Sequence, residues 1–152
     1  MELNVINKTK RKGYANYRKD FEKIVLKAID VLNLNENICL SVIFILDKRM
    51  QKINKQYRNV DKTTDVISFA INDYQDDSDY YEAELGDIFI NVDAAIRQAE
   101  DYKHSQRREI CFLFTHGLLH LCGFDHTSED KEKEMIKYQR LILDDIVSRK
   151  DK

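Results

Sequence analysis

The chain has 152 residues, 43% hydrophobic and 34% charged, with a formal net charge of -2, a pI near 6.1 and a mean hydropathy of -0.57. That length fits one domain spanning 1–152, which buries roughly 68–70% of the surface its unfolded chain exposes, and the composition excludes a disordered or membrane-embedded protein. The charge balance excludes a uniformly basic nucleic-acid binder, because neutralising a phosphate backbone needs clustered Lys and Arg.

The segment LNVI, Leu3 to Ile6, reads as a short first strand. A helix is expected from about Tyr17 to Leu32, where Phe21, Ile24, Val25, Ala28 and Leu32 fall on one face. CLSVIFILD, Cys39 to Asp47, is rich in β-branched and aromatic residues and reads as a central strand. Asp47 is then expected to cap a short helix in which Met50, Ile53 and Tyr57 repeat at helical spacing. A third strand follows at DVISFAI, Asp65 to Ile71. Residues Asn72 to Glu84 hold six acids and no Lys or Arg, a composition suited to a solvated connection or a docking surface for basic protein.

LGDIFINVD, Leu85 to Asp93, is a fourth strand, with Gly86 permitting a close approach or a bulge near its start. Asp93 is expected to cap a helix running to about Lys103, and Ser105 the next, running to about Cys122. Thr127 with Asp130 is expected to open a last helix reaching about Ser148. Mixed elements followed by helices predict an α+β domain: a small mixed four-stranded sheet with helices packed over it.

The longest apolar run, Ile38 to Leu46, is half a membrane span and contains Ser41. The start MELNVINKTKRKG lacks the apolar core of a signal peptide, so a cytoplasmic protein is expected. Cys39, Cys111 and Cys122 are odd in number and sit in apolar settings, which reads as buried free thiols. Two basic patches, Lys8 to Lys12 and Lys103 to Arg108, read first as solvated surface.

The chemistry concentrates in FLFTHGLLHLCGFDHTSED, where three of the four histidines fall within eleven residues. Residues four apart on a helix are neighbours on one face, so His116 and His120 can hold one ion. Gly123 suits the left-handed conformation that ends a helix, and the turn returns His126 toward the pair. Three imidazoles with an open fourth position are the ligand set of catalytic zinc. Cys122 is directed to the far side of the helix, into the core. The spacing His-x-x-x-His-x-x-Gly-x-x-His is also that of the metzincin proteases, whose general-base Glu is replaced here by Gly117.

HGLLHLCGFDH, INKQYRNVDKTTDVISFA and LGDIFI, in that order, resemble the signature blocks of the YbeY family of bacterial rRNA-maturation endoribonucleases. Thr63 and Ala70 stand where that family usually has Pro. The resemblance implies one zinc ion on His116, His120 and His126, Arg58 as a catalytic phosphate clamp, and Asp125 either orienting a ligand imidazole or stabilising its turn. It implies a zinc-dependent endoribonuclease for single-stranded RNA, acting in 16S rRNA 3′-end maturation and ribosome quality control. Its partners are then rRNA, the small ribosomal subunit and assembly factors, with no membrane and no organic cofactor. The attacking group, a metal-activated hydroxide or the RNA 2′-OH, stays open. Two other readings remain: a zinc peptidase or amidase using Asp65 or Asp87 as base, and a non-catalytic ribosome-assembly factor with structural zinc.

Overall fold

The computed structural model describes residues 1–71 and 83–152. In chain order the elements are β1 (Glu2–Asn7), a 3-10 turn (Tyr14–Tyr17), α1 (Arg18–Leu32), β2 (Cys39–Ile45), α2 (Asp47–Arg58), β3 (Val66–Ala70), β4 (Glu84–Asn91), α3 (Val92–Tyr102), α4 (Gln106–Leu121) and α5 (Glu129–Leu143). The strands form one sheet in the order β1-β2-β4-β3. β1, β2 and β4 are parallel, and β3 closes the edge antiparallel to β4. This is the expected α+β architecture. The expected docking surface at 72–84 falls mostly outside the described residues.

Side-chain alternation splits the sheet between two cores. Leu40, Val42 and Phe44 of β2 and Ile88 and Ile90 of β4 point into the larger core, shared with α1, α4 and α5. Their alternates Ile43, Ile45, Ile67 and Phe89 join Met50 and Ile53 of α2 in a smaller cluster. Helices therefore cover both faces, α2 lying on the opposite side from α4. The Phe21 and Phe114 rings stack 4.1 Å apart and lock α1 onto α4. A bulge between β2 and β4 places Leu40 opposite Gly86 while Cys39 stays opposite Glu84. Gly86 sits there at φ 131.

Three expected caps are different. Asp47 is the first residue of α2, and the N-cap is Leu46. The Asp47 carboxylate accepts instead from Arg97 at 2.7 and 3.0 Å and from Asn91 Nδ2 at 2.7 Å. These contacts, Arg97 foremost, hold its carboxyl well below the usual carboxylate range. Asn91, not Asp93, caps α3. Asp93 lies in the first turn of α3 and accepts the Asp47 N–H at 3.0 Å, satisfying an orphan donor of α2 from another element. Ser128, not Thr127, caps α5 by accepting from Lys131 N.

Ser105 does cap α4, accepting from Arg108 N at 2.9 Å. Helix α5 stops at Leu143, short of Ser148. The turn beyond it supplies Asp144 Oδ1 at 3.0 Å and the Val147 carbonyl at 2.7 Å to the buried Arg108 guanidinium. Cys111 is buried, Cys39 and Cys122 are half-buried, and all three are free thiols. Among the described residues no helix is long and apolar enough to cross a membrane.

Helix α4 lies directly on the sheet at Gly117. A Cβ there would come within 2.7 Å of Ile88 Cγ2 and 3.0 Å of Ser68 Oγ. Ser68 Oγ also donates to the Gly117 carbonyl at 3.2 Å. Gly117→Ala is therefore expected to lower stability by about 1–3 kcal/mol through overpacking. Paired with Ile88→Ala, which empties the contested space, its cost should shrink in a double-mutant cycle read by denaturant midpoint. Strict additivity would show that the contact does not limit the approach.

Candidate metal centre

His116 and His120 sit one turn apart on α4, beside the Gly117 contact: Ser68, which bonds the Gly117 carbonyl, lines the same cleft. Their Nε2 atoms are 3.1 Å apart. After Leu121 the helix closes with Gly123 at φ 96. The Gly123 N–H donates to the His120 carbonyl and the Phe124 N–H to the Leu119 carbonyl, both at 3.0 Å. That reciprocal pair is the Schellman ending that glycine at this position permits. The Phe124 ring then packs edge-on against Tyr138 of α5, with centroids 5.2 Å apart, and the chain brings His126 back with its ring 5.4 Å from that of His120.

Ligand atoms of His116, His120 and His126 lie within 4.8 Å of one another. Two imidazole nitrogens on one tetrahedral ion, bonded at 2.0–2.1 Å, are about 3.3 Å apart, so the 3.1 Å separation fits a shared ion. The donors also suit a cation in charge. Burial first, then the neighbouring His120 and His126, lower the His116 pKa to about 4. Burial and then His126 lower that of His120. Both rings are neutral near pH 7 and keep the lone pairs a metal needs. The group can hold a metal ion, and Cys122 is not part of it.

The histidines line a cleft of about 580 Å³ whose other wall is the edge strand β3. Thr64, Val66, Ser68 and Ala70 alternate along that wall, as side chains on one strand face do. Arg58, the last residue of α2, reaches the same cleft and makes no ion pair or hydrogen bond among the described residues. Its charge is close enough to disfavour protonation of His120.

Asp125 also lines the cleft, but its Oδ1 accepts the Thr127 N–H at 3.1 Å and the Thr127 hydroxyl at 2.9 Å. Its contacts are those of a turn brace, and Lys131 Nζ stands 3.6 Å from Oδ2. Of the two alternative bases, Asp65 lines the cleft. Asp87 is exposed on β4, its side chain on the sheet face opposite Ile88, which contacts Gly117.

Sequence reasoning passed over Ser68, whose tie to Gly117 couples the cleft wall to the histidine helix. The signal for it was the alternation of small residues along β3. The expected patch at Lys103 to Arg108 is largely committed elsewhere: Arg107 pairs with Asp20 at 2.8 Å, and Arg108 is tied to Asp144. Arg11 of the other patch pairs with Asp93 at 3.0 Å.

The chain can now be set beside known proteins. The family model described as Endoribonuclease YbeY matches residues 4–147. The Endoribonuclease YbeY of Acholeplasma laidlawii (strain PG-8A) is 45% identical over 143 residues, covering 94% of this chain and 95% of that protein. That of Mycoplasmopsis pulmonis (strain UAB CTIP) is 39% identical over 145 residues, covering 93% and 96%. A solution structure from Thermotoga maritima shares the fold, with a TM-score of 0.54 at 21% identity over 92% of this chain and 88% of that one. With the family model spanning nearly the whole chain and relatives matching end to end, this protein belongs to the YbeY endoribonuclease family.

Proposed function

We propose that the protein is a zinc-dependent endoribonuclease that cuts single-stranded RNA in 16S rRNA 3′-end maturation and ribosome quality control, in the cytoplasm, with rRNA, the small subunit and assembly factors as its partners. The observation that carries the reading is the meeting, in one cleft, of three metal-competent histidines with an arginine that makes no ion pair among the described residues. Family membership supplies the RNA substrate class.

In this reading His116, His120 and His126 would hold one zinc ion at the cleft. When bound, zinc supplies Lewis-acid polarisation of a phosphoryl oxygen and acidifies a coordinated water. Arg58 grips the scissile phosphate with two parallel N–H bonds and stabilises the charge that grows on its oxygens. Asp65, whose Oδ1 accepts the Val66 N–H at 2.8 Å, is the carboxylate available to accept a proton at Oδ2. Asp125 acts on the site by fixing the turn that presents His126.

The peptidase alternative loses support at Gly117. A glutamate there would start from a Cβ already 2.7 Å from Ile88 Cγ2, so a metzincin base at this position would force Ile88 or the helix to shift. The remaining alternative, a non-catalytic assembly factor with structural zinc, makes a separate forecast for Arg58.

Arg58→Ala should keep its zinc and its unfolding midpoint while RNA cleavage falls by roughly 10²- to 10³-fold, the usual loss of one transition-state donor. His120→Ala should lose stoichiometric zinc. Cleavage undiminished in Arg58→Ala would refute the clamp and favour the structural-zinc reading.

The metal-free protein should also lose stability as pH falls from about 6.5 to about 4. Burial and the neighbouring histidines lower the folded His116 pKa to about 4 from the ordinary 6.5, so across that window the unfolded chain binds the extra proton. His116→Gln should flatten this limb of the midpoint-versus-pH curve. An unchanged limb would show that His116 titrates normally.

A further inference from the structure

A second hollow, of about 510 Å³, lies between α4 and α5 and shares His116 and His126 as walls with the metal cleft. Its volume is within the range of about 300–1,000 Å³ typical of small-ligand sites. We propose that this hollow receives one unpaired base of the RNA, next to the scissile phosphate; the proposal rests on the RNA-cleaving reading above.

The lining has the mixed chemistry a nucleobase requires. Phe112, Met135 and Ile136 form the apolar part, and Ile136 is 43% exposed, an apolar side chain left beside the metal centre. The Phe112 ring is parallel to that of His116 to within 16°, at 6.4 Å between centroids, so the apolar lining runs up to a metal-competent ring.

The polar part is sparse and specific. Gln139 is only 6% exposed. Its Nε2 donates to the Phe112 carbonyl at 3.0 Å, while its Oε1 has no hydrogen-bond partner among the described residues. Arg140 lines the hollow and makes no ion pair among the described residues. Glu132 lines it too, and a carboxylate accepts from the N–H edge of a base and repels phosphate; Arg108 and Arg149 also line the hollow but both pair with Asp144, which leaves Arg140 as the backbone contact.

Continuity selects the occupant. The two cavities have His116 and His126 in common as walls, so a group seated in the second lies within reach of a chain cut in the first. In RNA the group attached to a scissile phosphate through one sugar is a base, and stacking a base on apolar and aromatic side chains is a large part of single-strand binding. An apolar peptide of a partner protein would fill the hollow without that link to the cut bond.

The test uses zinc-loaded, full-length protein, one short single-stranded RNA that it cuts, and copies of that RNA each with a single abasic nucleotide. In wild type, removing the base beside the cut should raise KM about ten-fold, with abasic changes at distant positions much weaker. Ile136→Asp should have a raised KM on the intact RNA and no further penalty for that abasic position, with zinc content unchanged. Ile136→Ala replaces it should Ile136→Asp fail to fold.

The base pocket is overturned if wild type is indifferent to the abasic position while still cutting RNA. It is overturned equally if the penalty persists in full in the Ile136 variant, or if Ile136→Asp leaves every KM unchanged, as an apolar peptide site would. Failure of wild type to cut any RNA with zinc bound would overturn the cleavage reading and the pocket with it.

Discussion

The site depends on how closely α4 lies on the sheet. At Gly117 there is no room for a Cβ between the helix and Ile88, and Ser68 fastens the helix backbone to the edge strand at the same point. A helix seated by that contact has its rotation fixed. One face carries Leu113, Phe114, Leu118 and Leu121 into the core, and His116 and His120 are left facing the cleft. The residue that brings the helix down is also the one that removes a glutamate base, so packing and chemistry are decided at a single position.

The electrostatics follow from burial as much as from charge. The chain is slightly acidic overall, and Arg11, Arg97, Arg107 and Arg108 are each bound to a carboxylate. Arg58 stands apart from them by opening onto the cleft without such a partner among the described residues. The histidines complement it: partial burial keeps His116 and His120 neutral, so they present lone pairs where surface histidines would begin to take up protons near pH 6.5.

Much of this was legible in the sequence, for reasons that differ by element. The strands were readable because near-continuous β-branched and aromatic runs in CLSVIFI and DIFIN match a sheet buried on both faces, and His116, His120, Gly123 and His126 because ligand spacing and a helix-ending glycine are local properties. Caps were less legible. Asp47, Asp93 and Thr127 are all good capping residues, but Asp47 and Asp93 were claimed by tertiary partners, Arg97 and Asn91 for the first and Arg11 and the Asp47 amide for the second, while Thr127 was taken up by the local turn with Asp125. The end of α5 was hidden because it is set by Arg108, nearly forty residues away in sequence. Ser68, and the hollow between α4 and α5, become visible only when distant segments are assembled, and no local periodicity reports them.

The proposed chemistry needs a metal held by three imidazoles with one side open to the cleft. X-ray absorption spectroscopy of the zinc-loaded protein reads that shell. The predicted result is three imidazole nitrogens at about 2.0–2.1 Å plus one oxygen from solvent, with no sulfur. A sulfur scatterer at about 2.3 Å, placing Cys122 on the ion, or a shell with fewer than three imidazoles, would contradict it.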